Sequence, residues 1–201
     1  MRLEQSLVLN RYLHSLFGAS GLEDLKAALG RIEEGAGPDG QSHFFHALAG
    51  LKGLQLPLDA LSEYDARITR YEGRLAKVRG SFTFKYFQYL SLLYTEVFLD
   101  RFTDDPQRFV RELNEWLGKL RAREVSLREF PDFEADNLRR LAFFMATGSG
   151  KTLLLHVNVW QLHQYLRHAA HPESLVRRQD RHRLFDSVLL ITPNEGLSQQ
   201  I

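Results

Sequence analysis

The chain has 201 residues, 44% of them hydrophobic and 25% charged, with a formal net charge of +1. This is globular composition, enough for one domain or one plus part of a second, and it excludes a disordered or low-complexity chain. With no cysteine, disulfides and cysteine-based zinc sites are excluded, which fits a cytoplasmic, reducing setting. The N-terminus lacks the long apolar core and small-residue cleavage site of a secretory signal, and no apolar run approaches the roughly 20 residues of a membrane span. The near-neutral total leaves no gross electrostatic signal for nucleic acid.

Residues 1–135 are expected to form a mostly helical accessory region. Leu3, Leu7, Leu9, Leu13, Leu16 and Phe17 give an amphipathic first helix closed by Gly18. A second helix, from Gly21 to about Glu34, carries Leu22, Leu25, Leu29 and Ile32 on one face, and Gly35 to Gly40 is a loop. Gln41–Leu54 is a third helical pattern, weakened by Gly50 and Gly53. Leu58–Arg79 is long and charged, with an apolar stripe at helical spacing, and Gly80 breaks it. Phe84–Phe102 is an aromatic-rich helix, first read as a buried face. Pro106 opens another helix through Phe109, Leu113, Trp116, Leu117 and Leu120. Val125–Asn137 is a linker.

From about Leu138 the expected pattern changes to strand, loop, helix, strand, helix. Leu141–Met145 is an apolar run that can form a buried strand; a small, Gly-rich loop follows, and Lys151 and Thr152 open an apolar helix-length segment to Leu166. Such a context favours a phosphate cradle: glycines let backbone N–H groups approach phosphate oxygens, and a helix N-terminus adds free N–H groups and partial positive charge. A second strand is expected at Ser187–Thr192, stopped by Pro193, with Asn194 capping a helix near Glu195. Glu195 is read as stabilising that first turn, not as a catalytic acid. Between these lies a basic stretch, Arg167–Arg183. It is read as a solvated loop in preference to a phosphate-binding patch. The eight histidines lack cysteines or paired carboxylates at ligand spacing, and no metal site is expected from them.

The stretch Ala146, Thr147, Gly148, Ser149, Gly150, Lys151, Thr152 has Met145 where the general phosphate-loop pattern has its first Gly. It fits a narrower form, A-T-G-x-G-K-T, and in that resembles motif I of the superfamily-2 helicases and translocases. Some 40 residues on, Pro193, Leu197 and Gln200 fall at the spacing of motif Ia of that family. The wording is most similar to the DEAD/DEAH-box branch with type III restriction enzyme helicase subunits.

The resemblance implies an α/β fold for residues 136–201, the first part of a RecA-like parallel-sheet domain. It implies that residues 146–152 bind ATP, with Lys151 on the β- and γ-phosphates and Thr152 on Mg²⁺. Pro193, Asn194 and Gln200 would face DNA, in preference to RNA. An aromatic and a Gln upstream of motif I read the adenine in that family, which makes Gln88 the adenine candidate here. Other subunits of a restriction or defence complex are implied partners, and a membrane is not.

No acidic Asp-Glu run follows motif Ia in the 201 residues, although such a pair holds Mg²⁺ and positions the attacking water. The expectation is therefore the N-terminal fragment of a larger ATPase, itself slow or inactive. A helical protein-interaction module with a residual phosphate loop is the alternative. A kinase or GTPase fits less well, since those usually keep Gly where Met145 stands.

Overall fold

The computed structural model describes residues 7–168. Seven α-helices are formed among them: α1 (Val8–Leu16), α2 (Leu22–Leu29), α3 (His43–Ala49), α4 (Leu58–Arg79), α5 (Tyr86–Asp104), α6 (Pro106–Arg121) and α7 (Lys151–His168). Short 3₁₀ turns lie at Val125–Leu127 and Asn137–Arg139.

Local chemistry sets several boundaries. Ser42 caps α3, its hydroxyl accepting the Phe45 N–H at 3.0 Å. Asp105 caps α6 by accepting the Arg108 N–H at 2.9 Å, and Pro106, which has no N–H to leave unpaired, takes the first helical position. Gly18 ends α1 at φ +68°; a Cβ there would lie 2.7 Å from the Lys52 carbonyl oxygen and from the Gly53 carbonyl carbon. Only glycine allows that close approach of two backbones.

The core is built around α5. Its buried side chains, among them Tyr89, Leu92, Leu93, Val97 and Phe98, face several directions, so the helix is surrounded rather than one-sided. The most extensive pairing is between α5 and α7, and α4, α6 and α2 also pack on α5. The main cluster of buried residues runs without a break from Tyr12 to Tyr165. Described residues on both sides of the expected 135/136 boundary therefore share one core.

The expected α/β architecture is corrected. Among the described residues there is no strand and no sheet, only an isolated bridge between Ala36 and Ser42, and hence no parallel-sheet RecA-like domain. Residues 141–146 form irregular chain, with Leu141, Phe143 and Phe144 exposed. A parallel strand needs neighbours on its edges and cover on both faces. The partner expected at Ser187–Thr192 lies outside the described residues. The apolar run instead lines a cavity against α1 and α5, a use that a short apolar stretch serves as well as a strand does. The expected linker Val125–Asn137 is structured: Leu127 is buried, and Asn114 pairs with both the N–H and the carbonyl of Phe133 at 2.8 and 3.0 Å.

Candidate phosphate-binding loop

Residues 146–150 make a tight turn directly before α7. Gly148 and Gly150 both have positive φ, +79° and +89°. Ser149 closes the turn, its N–H and its hydroxyl both donating to the Ala146 carbonyl, at 3.3 and 2.7 Å. The Gly150 carbonyl accepts the Leu154 N–H at 3.0 Å, so the loop passes into the helix without a gap. Lys151 is exposed at the helix start, and its ammonium donates to the carbonyls of Met145 and Ala146 at 3.3 and 3.0 Å. The ammonium thus folds back over the mouth of the loop. No acidic residue occupies the first turn of α7, which leaves the positive end of the helix unopposed for an anion.

These residues fit a polyphosphate. The backbone turns with its N–H groups at a helix N-terminus, a cation sits beside it, and Thr152 is half-buried in the first turn. The fit to Mg²⁺ is thinner. Among the described residues no group of three or more His, Asp or Glu could hold a metal ion, so Thr152 and the phosphates themselves would have to supply the ligands.

Gln88 lies against this loop. Its amide nitrogen donates to the Ser149 carbonyl at 2.9 Å, and its amide oxygen accepts the Lys85 N–H at 3.0 Å. A Cβ on residue 150 would stand 2.7 Å from the same amide nitrogen. The side chain expected to read adenine is thus engaged at both ends of its amide by the chain's own backbone. The segment before α5 is itself anchored: Glu72 accepts the Phe84 N–H at 2.7 Å, and Glu34 holds the Lys85 ammonium at 2.7 Å and the Thr83 hydroxyl at 3.0 Å. Burial raises the Glu72 pKa, against the lowering effect of the Phe84 N–H.

The far half of α7 is locked by a buried polar network that the sequence reading missed. Glu96 of α5, fully buried, accepts from Arg67 Nε of α4 at 2.7 Å, from the Tyr165 hydroxyl at 2.8 Å and from Gln161 Nε2 at 2.7 Å. Burial pushes the Glu96 pKa up, while hydrogen bonds from Gln161, Arg67 and Tyr165 and the Arg67 charge pull it down. The one available signal was a lone Glu inside the apolar, aromatic run of α5.

Beside the loop lies an apolar cavity of about 610 Å³, lined by Leu13, Leu90, Tyr94, Phe98, Phe133 and Phe143 among others; it reaches the loop at Ala146 and Ser149. Ala146, Thr147, Gly148, Ser149, Gly150, Lys151, Thr152 and Gln88 are therefore brought together. Pro193, Asn194 and Gln200, the expected nucleic-acid contacts, lie outside the described residues, as does the basic stretch beyond Arg167. No helix among the described residues is long and apolar enough to cross a membrane. Comparison with protein-family models, with curated proteins and with solved structures returns no match for this chain.

Proposed function

We propose that residues 146–152 bind the phosphates of ATP with Mg²⁺, and that the protein serves a nucleic-acid-dependent ATPase of the helicase or translocase kind, in the cytoplasm and on DNA in preference to RNA. The observation that carries this reading is the loop itself. Two positive-φ glycines, Gly148 and Gly150, lead into a helix whose first residues are Lys151 and Thr152. Glycine conformations, free N–H groups and a lysine at one helix end are what a polyphosphate needs. Lys151 would exchange its bonds to the Met145 and Ala146 carbonyls for the β- and γ-phosphates, and Thr152 would contribute a hydroxyl to Mg²⁺. The helicase assignment rests on the wording of residues 146–152 and on Pro193, Leu197 and Gln200. It does not rest on a RecA-like sheet.

Calorimetric titration of the 201-residue chain with Mg²⁺–ATP tests the binding step, beside Lys151→Ala. Hydrogen bonds to charged groups contribute about 1.5–3 kcal/mol, so the variant is expected to bind about 10- to 100-fold more weakly. Affinity for single-stranded DNA and RNA, measured by fluorescence anisotropy with and without ATP, tests the polymer. Absence of ATP binding, or binding indifferent to Lys151, overturns the reading. The helical interaction module would then be favoured, with the apolar cavity beside exposed Phe143 and Phe144 as its docking feature.

A further inference from the structure

We infer that Gln88 is a positioning residue for the phosphate loop, not a reader of the nucleotide base; the inference rests on the phosphate-binding reading above. A trans peptide holds its C=O and N–H pointing in opposite directions. The Ser149 carbonyl and the Gly150 N–H belong to one such peptide unit. Gln88 fixes the carbonyl end at 2.9 Å, and the Gly150 N–H is thereby turned away from Gln88. Its direction, the property a phosphate oxygen reads, is set by a side chain 61 residues earlier in the chain.

Four further observations support a brace. Gln88 is only 9% exposed, so its amide has little access to a base. Its oxygen is committed to the Lys85 N–H at 3.0 Å, which prevents the amide from flipping without losing both bonds. A Cβ on residue 150 would meet the Gln88 amide nitrogen at 2.7 Å, so a side chain there would push the Gln88 amide off the Ser149 carbonyl. Glycine at this position thus serves the contact with Gln88 as well as the +89° backbone angle. Anchoring of Phe84, Thr83 and Lys85 by Glu72 and Glu34 keeps the base of the brace still, as a supporting layer does for a binding group.

The two roles separate when the base is removed from the ligand. Affinities for Mg²⁺–ATP, Mg²⁺–GTP and inorganic tripolyphosphate are measured for the wild-type chain, Gln88→Met and Gln88→Glu, with melting temperatures alongside. Gln88→Glu keeps an acceptor for the Lys85 N–H, and so the helix cap, but cannot donate to Ser149. Gln88→Met is neutral and close in length, and loses both bonds. The expected result is a parallel loss of about 3- to 10-fold for all three ligands in Gln88→Met, and at least as much in Gln88→Glu. The ATP-to-GTP ratio is unchanged, and Gln88→Glu melts within a few degrees of wild type. A loss for ATP with tripolyphosphate unaffected overturns the inference in favour of base reading. Loss in Gln88→Glu alone assigns the effect to charge and overturns it too, as do unchanged affinities in both variants. Failure of the wild-type chain to bind any of the three sinks the phosphate-binding reading itself, a result distinct from these.

Discussion

His14 is 4% exposed, and neither ring nitrogen has a hydrogen-bond partner among the described residues. Its ring packs 5.7 Å from that of Tyr94, whose hydroxyl is likewise buried and unpartnered. Burial lowers the His14 pKa from 6.5 to about 4, with the Asp24 carboxylate acting weakly in the other direction. The folded state therefore resists a proton that the unfolded chain accepts below pH 6.5. Stability from this group is complete above that value and is lost as pH falls towards 4, at about 1.4 kcal/mol per pH unit. Urea denaturation at pH 7, 6, 5 and 4 should show this slope in the wild type, and a flatter one in His14→Phe. Equal slopes would mean that His14 is charged in the fold. Lys151, Thr152 and the glycines were legible as a candidate cradle because their chemistry is local, within seven consecutive residues. Gln88 was legible as a neighbour of that cradle only by family resemblance. Its bonds to Ser149 and Lys85 depend on where α5 lands, which no local pattern encodes.

At the scale of elements, α4, α5 and α7 meet at one buried carboxylate. Arg67 reaches Glu96 and lies over the rings of Tyr64 and Tyr165, 5.3 Å from each centroid. Gln161 also donates to the Leu92 carbonyl at 2.9 Å. A buried pair of this kind adds little against an apolar replacement, but removing one partner strands the other. Glu96→Ala is expected to lower the unfolding free energy by about 3–5 kcal/mol, since Arg67 Nε and the Tyr165 hydroxyl lose their buried acceptor while Gln161 keeps only the Leu92 carbonyl. Chemical denaturation measures this, and a loss below about 1 kcal/mol would show that the network carries no such strain on removal. Helices α4 to α7 were readable from spacing and from Gly80 and Pro106, with boundaries within a few residues. Helices α2 and α3 came out shorter than expected, each ending at a glycine, Gly30 and Gly50. The strand at Leu141–Met145 was misread because five apolar residues carry no period long enough to separate a strand from the wall of a cavity.

Across the whole molecule, the described residues form one helical body, and the segment that was expected to begin a second domain contributes α7 to the same core. Limited trypsin treatment tests this. Arg139 and Arg140 are exposed just before the loop segment, and cleavage there should leave the piece carrying α7 bound to the rest in gel filtration. Release of that piece would restore a two-domain arrangement. The basis of the expectation is the α5–α7 interface, with Leu154 and Val157 buried beside the Glu96 network.

That interface also orders events during synthesis. The Glu96 and Gln161 pair is separated by 65 residues. At about 5–20 residues per second, α5 leaves the ribosome on the order of 3–13 s before its partner helix. For that interval the helix around which the core is built has an uncovered side, and its carboxylate has Arg67 but not yet Gln161 or Tyr165. The nascent chain is therefore most exposed to aggregation and to chaperone capture between the emergence of α5 and that of α7, and the glycine loop before α7 becomes anchored only as the interval closes.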